Sequence, residues 1–280
     1  MIQPSSDVAL KSSMQAINPS LEPLRRDPIR TSQIGILPVN RVGVDEAVEL
    51  IMHQSRTNQE GRKPFSVLGV NAQIVNLATK SERFASAMLA GDLLYADGIS
   101  IVLASRLLGC PLPERVPGGE LMELLCKEGA KDGMSVYLLG GLEGAAEQAA
   151  EVLEARYAGI RVAGFCCPPI GFEKDPAESA RVLESIREAR PNFLFVCLGA
   201  PKQELWVAEN APSLPVGVVI PLGAAFDTLA GLRKRAPVWA RRTGTEWLYR
   251  LVKEPKRLWR RYLLGNPKFV WITLRQLFAR

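Results

Sequence analysis

The segment Gly199-Ala200-Pro201-Lys202-Gln203-Glu204-Leu205-Trp206 sets a turn, a cation, an amide and a carboxylate at the end of an apolar run, Phe193–Leu198. A buried strand that breaks at glycine and opens a helix on proline turns unpaired backbone N–H groups toward whatever lies above the sheet, an arrangement that suits an anion. Lys202 adds charge and Gln203 an amide, so the segment reads as an anion or sugar-nucleotide site; an ordinary strand-to-helix loop is the plainer alternative. Three other apolar runs end in comparable groups. Val67–Val70 leads to Asn71, which can cap a helix or hold a sugar hydroxyl. Leu93–Tyr95 leads to Ala96-Asp97-Gly98, where Asp97 is either a helix cap or a catalytic carboxylate. Tyr137–Leu139 leads to Gly140-Gly141-Leu142-Glu143-Gly144, which lacks the G-x-G-x-x-G spacing and the acidic ribose partner of a dinucleotide fingerprint.

These groups need a scaffold that aligns strand ends. Apolar runs at Gln33–Pro38, Phe65–Gly69, Leu93–Tyr95, Ser135–Leu139, Arg161–Phe165, Phe193–Leu198 and Val216–Pro221 read as strands. Between them lie helix-period segments at Val44–Gln54, Ala72–Ala90, Gly119–Gly129, Glu143–Tyr157 and Pro176–Ala189. Continuous apolar strands separated by helices predict an α/β fold, a Rossmann-like, mostly parallel sheet with helices on both faces. Ligands of such sheets bind beyond the carboxyl ends of the strands, where the groups above fall. Residues 33–232 form this domain and residues 233–280 a basic helical appendage. Residues 1–32, rich in Ser and Pro and without a signal-peptide apolar core, are expected to be a mobile extension.

Composition removes several function classes. The five cysteines (Cys110, Cys126, Cys166, Cys167, Cys197) have no paired C-x-x-C spacing, which points to reduced thiols in a cytoplasmic protein rather than a disulfide framework or a zinc site. His53 is the only histidine; Ser-His-Asp chemistry and a multi-histidine metal site are poorly supplied, and His53 reads as a helix-surface or packing residue. No apolar run approaches the length of about 18 residues that crosses a bilayer. Charge is unevenly placed. From Arg233 to Arg280 there are fourteen Lys/Arg against Glu246 and Glu254, net +12, so with +6 overall the preceding residues carry −6. Trp239, Trp247, Trp259 and Trp271 lie in the same basic segment. Cations interleaved with aromatics suit an anionic membrane surface or a nucleic acid. A solvated helical face with buried tryptophans is the plainer reading.

Taken in order, Asn71-Ala72-Gln73, Ala96-Asp97-Gly98, Arg115-Val116-Pro117-Gly118, Leu139-Gly140-Gly141, Gly199 to Glu204, Gly223-Ala224-Ala225-Phe226-Asp227, Lys234-Arg235-Ala236-Pro237 and Glu246-Trp247-Leu248-Tyr249-Arg250 resemble the WecG/TagA/CpsF glycosyltransferases. The resemblance runs from about residue 33 to residue 270. It implies transfer of a hexose-type sugar (N-acetylmannosamine, its uronate, or glucose) from a UDP-sugar to a sugar on undecaprenyl diphosphate, with inversion, in cell-surface polysaccharide synthesis. It also implies a cytoplasmic protein held peripherally on the inner face of the cell membrane. An inverting transfer needs a base for the acceptor hydroxyl and stabilisation of the leaving diphosphate. By position in the family motifs, Asp97 is the base, with Asn71 and Gln203 in the catalytic pocket. Arg115, Gly140, Gly141, Gly199, Lys202, Glu204 and Asp227 are carried over to the donor side. The chain has no Asp-x-Asp, so no metal or other cofactor is called for.

The appendage gains a role from the same resemblance. Arg250, Arg257 and Arg260 fall within about 80° of one helical face, with Lys253 and Arg261 nearby, if Pro255 does not interrupt the helix; the family resemblance assigns them to the lipid diphosphate. Leu258, Trp259, Tyr262, Leu263, Leu264, Phe269, Val270, Trp271, Ile272, Leu274, Leu277 and Phe278 supply the apolar side of a peripheral anchor, while Trp247 and Leu251 are expected in the core. Self-association through this tail is equally compatible with its composition. One position departs from the family pattern: Gly69 stands where a threonine is common, two residues before Asn71. Two other classes are weighed against the transferase. A nucleic-acid-binding protein explains the basic tail but not the ordered strand-end groups, and a Rossmann-type oxidoreductase lacks its glycine fingerprint.

Overall fold

The computed structural model describes residues 31–57, 63–242 and 244–279. The expected extension over residues 1–32 lies outside them except for its last two residues, which open the first strand. Thr31–Ile34 (β1) and Leu37–Asn40 (β2) form an antiparallel hairpin around Gly35, whose φ is +60°. The single strand expected over Gln33–Pro38 is therefore two, because Gly35 takes a left-handed conformation that reverses the chain within two residues. Asn40 Oδ1 accepts the Leu94 N–H at 2.9 Å and pins the hairpin to the domain.

The next elements are Val44–Thr57 (α1), Phe65–Val70 (β3), Ala72–Lys80 (α2), Glu82–Leu89 (α3), Leu93–Ala96 (β4) and Ile99–Leu107 (α4). Gly118–Ala130 (α5), Ser135–Gly140 (β5), Ala145–Arg156 (α6), Arg161–Cys166 (β6) and Pro176–Ala189 (α7) follow. Phe193–Cys197 (β7), Lys202–Asn210 (α8), Val218–Pro221 (β8) and Ala225–Leu229 (α9) complete the body. Strands β3 to β8 form one six-stranded parallel sheet in the order β4-β3-β8-β7-β5-β6. The predicted α/β fold is what the chain adopts.

The helix expected over Ala72–Ala90 is split at Ser81, whose extended backbone closes α2 by donating to the Leu77 carbonyl while its hydroxyl accepts the Phe84 N–H and opens α3. Helix α4 follows the start read at Asp97, but its extent was not legible: Ile99, Ile101 and Val102 are β-branched and the segment has no polar face to mark a helical period.

Alternate residues of each strand fill opposite cores. Val67, Val136, Leu138, Phe193, Phe195 and Ile220 meet α1, α5 and α6 on one face. Leu68, Val70 and Leu94 meet α2, α3, α4 and the hairpin on the other, and Tyr137, Leu139, Leu194 and Val196 meet α7 and α8 further along it. Covering both faces is what permits the sheet to be parallel and its strands to read as unbroken apolar runs.

Beyond the body come Val238–Arg242 (α10), Glu246–Lys253 (α11), Pro255–Trp259 (α12), a π-helical turn over Arg260–Leu264, and Gly265–Phe278 (α13). Helix α13 returns to the domain. Asn76 Nδ2 donates to the Gly265 carbonyl at 2.7 Å, Gln276 takes the Gly35 N–H and donates to the Gln33 carbonyl, both at 2.8 Å, and Phe269 is 5% exposed in the core under α2. Leu258 and Tyr262 are buried too, and Ile272 and Leu277 pack on the same core. The apolar side expected to face a lipid is thus divided. Trp259, Leu263, Leu264, Val270, Trp271, Leu274 and Phe278 remain exposed. Trp247, expected in the core, is 39% exposed and tilts against Tyr262 with ring centroids 5.9 Å apart. Leu251 is only partly buried. Among the described residues no helix is long and apolar enough to cross a membrane.

Candidate active site

The parallel sheet brings the predicted groups to one edge. Asn71 follows β3, Asp97 follows β4, Gly141 follows β5, Gly199 follows β7 and Gly223 follows β8. Asn71 caps α2, its Oδ1 accepting the N–H groups of Gln73 at 3.0 Å and Ile74 at 3.2 Å. Its Nδ2 is left to point at Asp97 Oδ2, 3.4 Å away. The capping reading of Asn71 holds, and the fixed side chain also orients a carboxylate.

Asp97 does not cap the helix that follows it, where Gly98 holds that place. Its Oδ1 accepts the Gly118 N–H at 2.9 Å, at the start of α5, whose own cap residue Pro117 offers no side-chain acceptor. The loop before α5 is tied to the same strand end by the Val116 N–H donating to the Ala96 carbonyl at 2.8 Å. Asp97 is thus a partly buried carboxylate held by one amide at each oxygen. Gly69 lies beside it. A Cβ on Gly69 would stand 2.9 Å from Tyr95 Oη and 3.2 Å from Asp97 Cβ, so the space beside Gly69 is filled by the tyrosine of the neighbouring strand. Burial first, then the charges of Asp97 and Glu204, push the Tyr95 hydroxyl well above the ordinary tyrosine range, so it remains protonated.

The opening motif is differently built from its expectation. Helix α8 starts at Lys202, with Pro201 before it in the cap position after a cis Ala200–Pro201 peptide, not at the first helical residue. Gln203 is 5% exposed; its Oε1 accepts the N–H groups of Gly199 at 3.1 Å and Gly223 at 3.0 Å, and its Nε2 donates to Glu204 Oε1 at 2.8 Å. It clamps the β7 and β8 loops together between the Asp97 end of the sheet and the Gly140 end. Glu204 is 4% exposed and its Oε2 has no hydrogen-bond partner among the described residues. Burial raises the Glu204 carboxyl above its ordinary value, against the opposing pull of Gln203, its own backbone amide and Arg261.

Across the edge, Gly140, Gly141, Phe172, Glu173, Lys202 and Trp206 help line an open groove. Gly140 and Gly141 have φ of +95° and +92°, and a Cβ on Gly140 would lie 2.7 Å from the Cys197 carbonyl oxygen, so no side chain fits there. Lys202 Nζ pairs with Glu173 at 3.0 Å; that carboxyl is held below its ordinary value by its own backbone amide and then by Lys202. Asp227, 4% exposed, faces this turn: Oδ1 accepts the Leu142 N–H at 2.9 Å and Oδ2 pairs with Arg233 Nε at 2.8 Å. Its two oxygens are committed to the loop and to the arginine.

The appendage closes over the other side. Pro255 does interrupt the helix, so Arg250, Arg257 and Arg260 do not share one continuous face. Glu246 holds Arg115 at 3.1 Å through one oxygen and Arg250 through the other. Glu254 holds Arg257 at 2.6 Å and Arg233 at 3.3 Å. Arg260 is exposed over its neighbour Trp259, 5.3 Å from the ring centroid. Arg261 instead turns inward, over Tyr262, where burial lowers its pKa and the Asp97 carboxylate acts on it. Among the described residues no group of three or more His, Cys, Asp and Glu could hold a metal ion, and all five cysteines are free.

The family model for the glycosyl transferase WecG/TagA/CpsF family matches residues 32–280. The chain belongs to this family. Among curated relatives, an N-acetylglucosaminyldiphosphoundecaprenol N-acetyl-beta-D-mannosaminyltransferase of Bacillus spizizenii (strain W23) is 31% identical over 240 residues, spanning 85% of this chain and 90% of the relative. Proteins of the same name from Staphylococcus aureus strains MW2 and NCTC 8325 are 32% identical over 208 residues, spanning 73% of this chain and 78% of theirs. The chain is therefore a glycosyltransferase, and its basic segment and its glycine turn belong to that enzyme rather than to a nucleic-acid-binding protein or an oxidoreductase.

Within this WecG/TagA/CpsF glycosyltransferase, four residues reach the site without having been assigned to it from sequence. Glu246 lay inside a quoted motif but carried no role; Arg233 bounded the basic segment; Arg261 stood only as a neighbour of the arginine face; Tyr95 read as the last residue of a strand. The departure at Gly69 is the only trace of Tyr95 in the sequence reading, and the link between the two comes from the structure.

Proposed function

We propose that this glycosyltransferase moves an N-acetylmannosamine-type hexose from a UDP-sugar to a sugar carried on polyprenyl diphosphate, inverting the anomeric centre, with Asp97 as the base. The observation that carries the reading is the setting of Asp97: a partly buried carboxylate at the carboxyl end of β4, held by the Gly118 N–H and the Asn71 amide, with Arg261 in electrostatic reach. Asp97 Oδ2, which has only the longer contact to Asn71, takes the proton of the acceptor hydroxyl as that oxygen bonds to the anomeric carbon. The bond from the anomeric carbon to the diphosphate oxygen breaks, and UDP carries away the electron pair. The Gly140-Gly141 turn and Lys202 supply backbone and cationic contacts to the leaving diphosphate. Arg115, carried over to the donor side from sequence, shares Glu246 with Arg250, which supports moving it to the acceptor side beside Arg250, Arg257 and Arg261. Relatives named as mannosaminyltransferases acting on N-acetylglucosaminyldiphosphoundecaprenol support this choice of donor and acceptor.

The exposed apolar residues of the appendage, Trp259, Leu263, Leu264, Val270, Trp271, Leu274 and Phe278, lie among cations and support attachment to an anionic bilayer surface, where a polyprenyl carrier resides. The test is incubation with UDP-N-acetylmannosamine, its uronate and UDP-glucose in turn, using polyprenyl-diphosphate N-acetylglucosamine in anionic vesicles and reading the lipid by mass. One added N-acetylhexosamine with the first donor is the expected product; no product with any donor would overturn the assignment.

A further inference from the structure

We propose that the Tyr95 hydroxyl is a sugar-contacting group of the active site, supplying next to Asp97 the hydroxyl that the side chain of residue 69 cannot. This rests on the transfer reaction proposed above and adds a residue to it.

Two glycines from different elements are shaped around a single oxygen. Gly69 of β3 and Gly118 at the head of α5 would each place a Cβ 2.9 Å from Tyr95 Oη, so either one as alanine would press on it. The same two positions border Asp97: the Gly69 Cβ would meet Asp97 Cβ at 3.2 Å, and the Gly118 Cβ would meet Asp97 Oδ1 at 3.6 Å. The phenol is therefore delivered to the side of the carboxylate that the Asn71 amide and the Gly118 N–H already orient.

Tyr95 pairs with Gly69 across parallel strands, and an aromatic ring covering a neighbouring glycine is a packing device in its own right. Packing alone, however, asks only for the ring. It gives no reason for the hydroxyl, a polar atom on a side chain that is 1% exposed. A buried hydroxyl is costly unless it finds a partner. The partner that the setting offers is a sugar oxygen lying against Asp97. Burial pushes the phenol well above the ordinary tyrosine range, so at neutral pH it is a hydrogen-bond donor.

Tyr95→Phe keeps the ring and removes the donor. In the lipid-linked transfer assay it should lower kcat/KM by about tenfold or more while its melting temperature stays at or above that of the wild type. Tyr95→Val loses ring and hydroxyl; Gly69→Thr in that background restores a hydroxyl in the vacated space and should recover part of the lost kcat/KM. Wild-type kinetics for Tyr95→Phe, beside a dead Asp97→Asn, would overturn this inference and leave the transfer reaction standing. A melting temperature that falls in step with activity for Tyr95→Phe would assign the hydroxyl to the fold instead and overturn it too. Absence of transfer by the unaltered protein would overturn both.

Discussion

Removing the Asp227 carboxylate tests whether the Gly140-Gly141 turn is held by the residue that faces it. Asp227→Ala takes the acceptor from the Leu142 N–H (2.9 Å) and the counter-charge from Arg233 (2.8 Å), at a site where the aspartate is 4% exposed. An orphaned backbone donor costs about 1–2 kcal/mol. The charge contribution is smaller than for a fully buried pair, since the Arg233 side chain is 22% exposed and keeps Glu254 at 3.3 Å; about 1 kcal/mol is the reasonable figure. The sum, about 2–3 kcal/mol, corresponds to a fall in melting temperature of about 5–10 °C for a chain of this size. Asp227→Asn keeps an oxygen for Leu142 but turns an NH2 toward Arg233 Nε, losing the ion pair with its hydrogen bond, so it should fall by about 2–4 °C. Thermal melts followed by circular dichroism, with and without UDP, read both values, and the alanine variant should also show a weaker UDP-induced shift because the Gly140-Gly141 turn is loosened. An alanine variant melting within 1 °C of wild type, or an asparagine variant melting as low as the alanine one, would refute the reasoning.

Asp97→Asn keeps an oxygen for the Gly118 N–H and loses only the longer contact from the Asn71 amide, so its melting temperature should fall only slightly while transfer falls by about 10²-fold or more; near-normal turnover would remove Asp97 as the base. Burial pushes the Cys197 and Cys126 thiols up to about 12, so at pH 8 only about 10⁻⁴ of either is thiolate. Iodoacetamide should label the exposed Cys167 in the native protein and reach those two only in denaturant, as peptide mass mapping will show. Glu204 has a folded-state pKa raised above its ordinary 4.5. The folded chain thus holds that proton more tightly than the unfolded chain, and stability is lost as pH rises from about 4.5 through the folded value. Glu204→Gln cannot titrate, so its melting temperature should gain on that of wild type between pH 4.5 and pH 8; parallel pH profiles would contradict this.

The parts of the fold that were legible are those governed by neighbours in sequence. Asp175 before Pro176 marks the start of α7 because a cap and a proline act within one turn, and the central strands announced themselves as apolar runs because both faces of the sheet are covered. Ser81 escaped because one serine ends one helix and begins the next, and the apolar period continues across it. The site was legible in its strand ends and much less so in its partners. Gln203 looked available from its motif, but its oxygen is taken by Gly223, twenty residues away. Arg261 could not be chosen over Arg260 on a helical wheel of 100° per residue. The π-helical turn over Arg260–Leu264 abandons that period and leaves Arg260 outside on Trp259.

The paired arginines of the appendage carry a consequence for how charge is managed at the site. Glu246 grips Arg115 and Arg250 with its two oxygens, and Glu254 grips Arg233 and Arg257, so each carboxylate stands where a phosphate bridging two guanidinium groups would stand. The protein carries its own counter-ions. If the lipid diphosphate binds these arginines as proposed, it exchanges with a resident anion instead of meeting bare cations, and the net ion release on binding is smaller than the number of arginines suggests. Affinity for the lipid diphosphate should accordingly fall less steeply with salt than a count of those side chains would forecast, and the empty enzyme is spared the mutual repulsion of a cationic cluster.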